Sequence, residues 1–161
     1  MIALQITELK AFMGKLLGTN IFDDFLLQEA TLQVGISYVI DGHINEAFYQ
    51  SDDEQTDRPP FISYGEVRNT LFSLIKGKRT PLGFQLVLQL SPKRCSILFP
   101  EGLDAHLIKG LIMNIRFDGS KALITSGVSY YSFSLDKAPE QIWDEAMMTF
   151  LKRADISFDR I

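Results

Sequence analysis

Two side chains of the types that ligate metals or transfer protons lie two residues apart, at Asp41 and His43. They belong to a stretch from Ile36 to Ile44 that alternates apolar and polar residues, which predicts a β-strand. Because alternate strand residues share a face, the Asp41 carboxylate and the His43 imidazole would point the same way. Glu46 follows closely, but zinc sites take three or four protein ligands, and a solvated strand end would contain the same residues. A metal-assisted enzyme centred on His43 is therefore one hypothesis among several.

Other catalytic arrangements find little support. Cys95 is the only cysteine, and the alternation from Arg94 to Phe99 predicts a strand in which Cys95 faces the core. No Gly-x-Ser-x-Gly motif occurs, and neither His43 nor His106 is placed beside Cys95 by the sequence. Lys76-Gly-Lys-Arg-Thr80 lacks the upstream glycine of a phosphate-binding loop. The sequence favours a protein that is not an enzyme, and it predicts no cofactor.

Charge is distributed unevenly along the chain. Residues 16–57 contain nine acidic residues and no lysine or arginine, whereas residues 67–100 contain six basic residues and no acid. The basic residues of this second segment are Arg68, Lys76, Lys78, Arg79, Lys93 and Arg94. One interpretation is an exposed face that binds anions or nucleic acid. The alternatives are cations that stabilise a helix C-terminus, cations at the tip of a hairpin, or neutralisation by the acidic segment.

The remaining patterns indicate the elements that position these residues. Apolar residues three and four apart predict three helices, and stretches of period two predict six to eight strands. Asp118-Gly119 is a strong hairpin signal, and the alternation at the C-terminus predicts an added edge strand. The predicted helices cover about 7–17, 64–76 and 139–153, and the predicted strands about 2–6, 25–33, 36–44, 84–91, 94–99, 107–117, 121–134 and 156–159. The expected fold is a single α+β domain over 1–161, with an antiparallel sheet and helices packed on one face.

Composition agrees with a globular chain. The 161 residues are 46% hydrophobic and 22% charged, and no apolar stretch approaches the length needed to span a bilayer. The N-terminal residues lack the features of a signal peptide, so a cytoplasmic protein without membrane contact is expected. The polar stretch 51–60 ends in two prolines, which predicts an exposed loop.

Two resemblances add to these patterns. The residues Ile-Asp-Gly-His-Ile44, the stretch Leu74-Ile-Lys-Gly-Lys-Arg-Thr-Pro-Leu82 and the strand that follows resemble an uncharacterised bacterial family of similar length. This resemblance covers most of the chain and implies no activity or site. The order of elements over residues 1–99 is also similar to one domain of a DNA sliding clamp, which implies a clamp-like fold and contact with nucleic acid.

Three functions are compatible with these observations. The leading hypothesis is a non-catalytic binding or interaction module, with a homo-oligomer as one possible assembly. The second is nucleic-acid binding through the basic segment 67–100, and the third is the metal-assisted enzyme with Asp41 and His43 as ligands. The position of the six basic side chains relative to the acidic segment distinguishes the second hypothesis from the first.

Overall fold

The computed structural model describes residues 1–49, 58–99 and 105–161. These residues form eight strands and four α-helices, with short 3-10 turns at Glu46–Tyr49 and Ala105–Leu107. The α-helices are α1 (Leu9–Gly18), α2 (Tyr64–Ile75), α3 (Pro92–Leu98) and α4 (Ala138–Arg153). The strands are β1 (Ala3–Ile6), β2 (Leu26–Gln33), β3 (Ser37–Asp41), β4 (Ile62–Ser63), β5 (Gly83–Gln89), β6 (Ile108–Phe117), β7 (Ala122–Tyr130) and β8 (Phe158–Arg160).

All eight strands belong to one open antiparallel sheet. The strand order is β3-β2-β5-β6-β7-β1-β8, and β4 pairs with the beginning of β2. The short strand β8 lies at one edge, as the C-terminal alternation predicts, and β3 lies at the other. The predicted α+β class with an antiparallel sheet is therefore confirmed.

The helices cover one face of this sheet. Strand residues at every second position, such as Leu86, Leu88, Met113 and Ile115, are buried in a single core. The helices contribute Phe12, Leu16, Leu71, Trp143, Met147 and Leu151 to the same core. The intervening strand residues, including Gln85, Asn114 and Arg116, are half-buried or exposed. This pattern explains why the strands alternate in the sequence, since only one face excludes water.

The segment after β5 is a helix, and the predicted strand over 94–99 is wrong. Ser91 is extended and Pro92 occupies the first turn of α3, where the missing proline N–H costs no hydrogen bond. In the sheet, β5 is already paired with β2 on one side and β6 on the other. A strand that folded back from Ser91 would therefore find no free edge of β5. The described chain consequently has four α-helices where the sequence predicts three.

The hairpin at Asp118-Gly119 is confirmed, although its turn is not type I′. β6 ends at Phe117 and β7 begins at Ala122, and of the turn residues only Gly119 has a positive φ, at 98°. The Asp118 carboxylate accepts hydrogen bonds from the backbone N–H groups of Ser120 and Lys121, which hold the pKa of this carboxyl below its usual value. Asp118 also donates its backbone N–H to the Lys121 carbonyl, so the turn is closed by backbone and side-chain hydrogen bonds together.

None of the helices in the described part of the chain is both long and apolar enough to cross a membrane.

Candidate functional site

A groove of about 1350 Å³ lies between α3 and α4, over the ends of β2 and β5. We call it the α3–α4 groove. Six of the apolar residues that line it are Ile21, Phe25, Leu90, Leu98, Ile142 and Phe150. The charged residues that line it are Asp24, Lys93, Arg94, Glu145 and Arg153. It is an apolar surface bordered by charges, and its lining comes from four separate parts of the chain.

The apolar lining follows from how α4 is seated. Trp143, Met147 and Leu151 repeat every four residues and are buried against the sheet. The neighbouring row of Ile142, Ala146 and Phe150 is turned aside, is only half-buried, and lines the groove. The apolar stripe of α4 is therefore wider than the row of residues that is fully buried against the sheet.

Aromatic packing and one hydrogen bond hold α4 in this position. The Phe150 ring lies 5.3 Å from both the Phe22 and the Phe25 rings, with steep interplanar angles that favour edge-to-face attraction. Trp143, which also lines the groove, donates from Nε1 to the Ile112 carbonyl of β6 at 2.8 Å. The groove therefore has a rigid wall on its α4 side.

The wall formed by α3 is more open. Ile97 projects from α3 with 75% of its surface exposed, while Phe99, just after the helix, is buried in the core. Cys95 lies on the same helix, is half-buried, and packs against the core, and this burial raises the pKa of its thiol. The prediction that Cys95 faces the core is confirmed although its strand is not. A raised pKa makes the thiol a poor nucleophile.

The charges around the groove leave an excess of cations. Arg94 donates to the Asp24 carboxylate at 2.6 Å, so these two charges compensate each other. Within the described residues, Lys93, Arg153 and Glu145 form no ion pair. Two unpaired cations thus face one unpaired carboxylate, which favours an occupant that carries negative charge.

The six basic residues of segment 67–100 do not form one patch. Arg68 on α2 makes a two-pronged pair with Asp23, with Nε to Oδ1 at 2.8 Å and Nη2 to Oδ2 at 3.3 Å. This hydrogen bond raises the pKa of the guanidinium. Arg68 and Arg94 are therefore engaged by two acids of segment 16–57.

The other four basic residues lie at opposite ends of β5. Lys93 follows its last residue, whereas Lys76, Lys78 and Arg79 lie in the connection from α2 to its first residue, about 20 Å away for a strand of this length. Lys93 and Arg94 follow Ser91-Pro92 and would lie at the tip of a hairpin if residues 94–99 were a strand, but both are in α3. The six basic residues form one cluster in the sequence, but in the structure two of them are held in ion pairs and the other four are divided between the two ends of β5.

The connection that carries Lys76, Lys78 and Arg79 packs beside the β6–β7 turn. A β-carbon on Gly119 would lie 2.9 Å from the Leu82 carbonyl oxygen, so the two segments are in close contact. Lys121 belongs to the same turn. All four cations are exposed, and none of them pairs with a carboxylate in the parts of the chain that the structure describes.

Asp41 and His43 lie together at the end of β3, as the sequence predicts. The His43 Nδ1 lies 2.6 Å from the Asp41 Oδ1, and the His43 backbone N–H donates to the same oxygen at 3.0 Å. These hydrogen bonds, the backbone one first, lower the pKa of the Asp41 carboxyl. The His43 ring also packs on Phe61, with centroids 4.5 Å apart.

Both side chains at this site are exposed. Among the described residues, no three His, Cys, Asp or Glu side chains come together in a way that would hold a metal ion. Glu46 lies in the following 3-10 turn, and residues 51–57, with their four acids, lie outside the described residues. The described geometry is that of an Asp–His hydrogen bond at a solvated strand end.

The sequence does not reveal the α3–α4 groove, because the alternation predicts a strand over 94–99 where α3 forms one wall of the groove. The available signal was Ser91-Pro92, which fits the start of a helix as well as a turn. The apolar stripe of residues 139–153 predicts α4, but nothing in it distinguishes residues that face the sheet from residues that line a groove.

Comparison with known proteins gives a family and no activity. No curated protein and no solved structure matches the sequence significantly. A family model matches residues 15–159, which include α2, α3, α4 and nearly all of the sheet. The chain belongs to the family of unknown function DUF5721.

Proposed function

We propose that this protein is a non-catalytic binding module whose α3–α4 groove holds an amphipathic helical segment of a partner protein. The observation that carries the proposal is the row Ile142, Ala146 and Phe150, which lies beside the core row of α4 and stays half-exposed. These residues pack against the core with one side and leave the other side uncovered, and contiguous exposed apolar surface of this kind is a common property of recognition sites.

The dimensions favour a peptide over a small molecule. The lining runs along α4 from Gln141 to Arg153, which corresponds to about 18 Å of helix. This length matches an occupant of three to four helical turns, and the volume exceeds the roughly 300–1000 Å³ of small-molecule sites. An amphipathic helix would place its apolar residues at spacings of three and four against Ile142, Ala146 and Phe150.

The charged residues that line the groove indicate which sign of charge its occupant carries. Lys93 and Arg153 are unpaired within the described residues, whereas Arg94 is already engaged by Asp24. An occupant with glutamate or aspartate beside its apolar stripe would compensate the two free cations, and a basic one would be repelled.

Titration with designed peptides tests this proposal. The probes are a fourteen-residue helix with a leucine stripe and glutamates elsewhere, its lysine counterpart, and a scrambled glutamate peptide. Trp143 is the only tryptophan and lines the groove, so its fluorescence reports binding without a label. We expect saturable binding of the glutamate helix and at least tenfold weaker binding of the other two peptides.

A pair of variants locates the binding site. Ile97→Asp adds a charge to the groove at a position that is 75% exposed, and Leu82→Asp makes the same kind of change at a 71% exposed position near the opposite end of β5. Ile97→Asp should weaken binding about tenfold, while Leu82→Asp should leave it unchanged. Equal affinities of the two variants, or no binding of the glutamate helix, would refute the proposed site.

Nucleic-acid binding is a second candidate, centred on a smaller set of residues than the basic segment as a whole. It is supported by Lys76, Lys78 and Arg79, which are exposed, pair with no carboxylate of the described residues, and lie in a connection that contacts the turn carrying Lys121. Cations on neighbouring loops could contact successive phosphates of one strand, with an affinity that falls steeply as salt rises. Arg68 and Arg94 are not part of this surface, because both are already paired with carboxylates.

A charge-matched comparison tests the second candidate. The double variant Lys78→Glu/Arg79→Glu changes the cluster, and Lys109→Glu/Lys152→Glu makes the same change of net charge at exposed positions elsewhere. Binding of a labelled single-stranded oligonucleotide is measured by anisotropy at low and moderate salt. Loss of binding in the first variant alone supports the candidate, and equal effects of both variants contradict it.

A further inference from the structure

The outer edge of β3 carries unusually little protection against pairing. It is five residues long, Ser37-Tyr-Val-Ile-Asp41, and contains no lysine, no proline and no bulge in its pairing with β2. Val39 is 71% exposed, and Ile36 just before the strand is 65% exposed. None of the described residues pairs with this outer edge. Edge strands with these properties pair readily with another strand.

The opposite edge of the sheet differs. β8 has only three residues, Phe158-Asp159-Arg160, and two of them are charged and exposed. Short length and charge are the features by which proteins prevent edge-to-edge association. The contrast within one sheet indicates that β3, and not β8, is the edge suited to pairing.

The hydrogen bonds of β3 show which backbone groups are free. Val34 donates to Ile36 at one end of the β2–β3 ladder, and Gly42 donates to Gln28 at the other end. Bonded pairs in an antiparallel ladder alternate with non-bonded pairs, so Tyr38 and Ile40 direct their backbone groups towards β2. Ser37, Val39 and Asp41 therefore direct their N–H and C=O groups outwards.

These outward groups are self-complementary. If two β3 strands pair antiparallel about a two-fold axis at Val39, then Val39 bonds reciprocally with its equivalent, and Ser37 bonds with Asp41 of the second copy. All three outward residues then lie at bonded positions. Tyr38 stands opposite Ile40, an aromatic and β-branched pair that stabilises sheets. The two Asp41 carboxylates lie at opposite ends, so no like charges meet.

We infer that two copies of this chain associate through β3, which joins their sheets into one continuous antiparallel sheet. The occupant of the edge is thus a second copy, related by a two-fold axis that closes the assembly at a dimer. The α3–α4 groove is not part of this interface, and the inference stands independently of what the groove binds.

Sedimentation equilibrium of the full chain over about a hundredfold range of concentration around micromolar tests the inference. The critical variant is Val39→Pro. Proline removes the outward N–H at the centre of the predicted pairing and breaks no bond to β2, so an edge strand tolerates it. Val39→Thr keeps the N–H and the strand preference, and it serves as the matched control.

The wild type and Val39→Thr should form dimers, and Val39→Pro should dissociate at least tenfold more readily because two reciprocal hydrogen bonds are lost. The thermal midpoint of monomeric Val39→Pro shows that the variant is folded. A monomeric wild type over the whole range would overturn the inference. A dimer that Val39→Pro leaves unchanged would overturn it as well, since association would then use another surface.

Discussion

Replacement of Trp143 by phenylalanine tests how α4, and with it the groove, is fixed to the sheet. The indole is 2% exposed, and its Nε1 donates to the Ile112 carbonyl of β6 at 2.8 Å. Phenylalanine keeps an aromatic ring at this position but removes the donor and part of the volume. The variant therefore separates the contribution of the hydrogen bond and the close packing from that of general apolar burial.

The expected cost follows from two terms. Loss of the donor leaves the Ile112 carbonyl, which is partly buried, without this partner, which costs about 1–2 kcal/mol. The smaller ring leaves a volume on the order of 40 Å³, which at roughly 24 cal/mol per Å³ adds about 1 kcal/mol. The free energy of unfolding should therefore fall by about 2–3 kcal/mol, a large part of the roughly 5–15 kcal/mol of a typical domain.

Urea denaturation followed by far-ultraviolet circular dichroism measures this change, because the variant lacks the only tryptophan. Phe48→Leu, at a position that is 81% exposed, is the control and should change stability by less than about 0.5 kcal/mol. A loss below about 1 kcal/mol for Trp143→Phe, with the denaturant slope unchanged, would refute the reasoning. The indole would then contribute little beyond apolar surface, and α4 would be less firmly anchored than the geometry indicates.

Two further predictions concern the β3 corner. Gly42→Ala should lower the free energy of unfolding by more than about 3 kcal/mol in denaturant titrations, because its β-carbon would lie 1.7 Å from the Leu27 carbonyl oxygen. Gly35→Ala is the control. A β-carbon on Gly35 would have nothing within 4 Å, so this variant should change the free energy of unfolding by less than about 1 kcal/mol. A titration of the Asp41 carboxyl by nuclear magnetic resonance should give a pKa below the usual 3.8. His43→Ala should preserve part of this depression, because the backbone N–H of residue 43 is its largest single cause. Since the pKa is lower in the folded state, the interaction stabilises the fold at neutral pH and is lost as the pH falls through the folded-state pKa. A return of the Asp41 pKa to its usual value in His43→Ala would show that the imidazole is the cause instead.

Much of the fold was predictable because its signals are local. The alternation in β5, the Asp118-Gly119 turn and the stripe of α4 each depend on residues that are close in sequence. They identify strands, a hairpin and a helix whatever surrounds them. The alternation also reveals that one face of the sheet is covered, since a strand buried on both faces would be continuously apolar.

The site was less predictable because its parts depend on distant residues. Whether Arg68 is free for a ligand depends on Asp23, which is 45 positions away, and on the packing of α2 against α1. Arg79 and Lys93 are near each other in sequence, yet they lie beyond opposite ends of one strand. Proximity in sequence thus overestimated how closely the basic residues cluster.

By itself, the sequence determined the α+β class, the antiparallel sheet and the apolar stripes of the helices, because hydrophobic periodicity reflects burial along each element. Only the tertiary structure decided that residues 92–98 form a helix, because this depended on β2 and β6 occupying both edges of β5. The α3–α4 groove and the division of the basic residues follow from the same long-range pairing, which no local pattern contains.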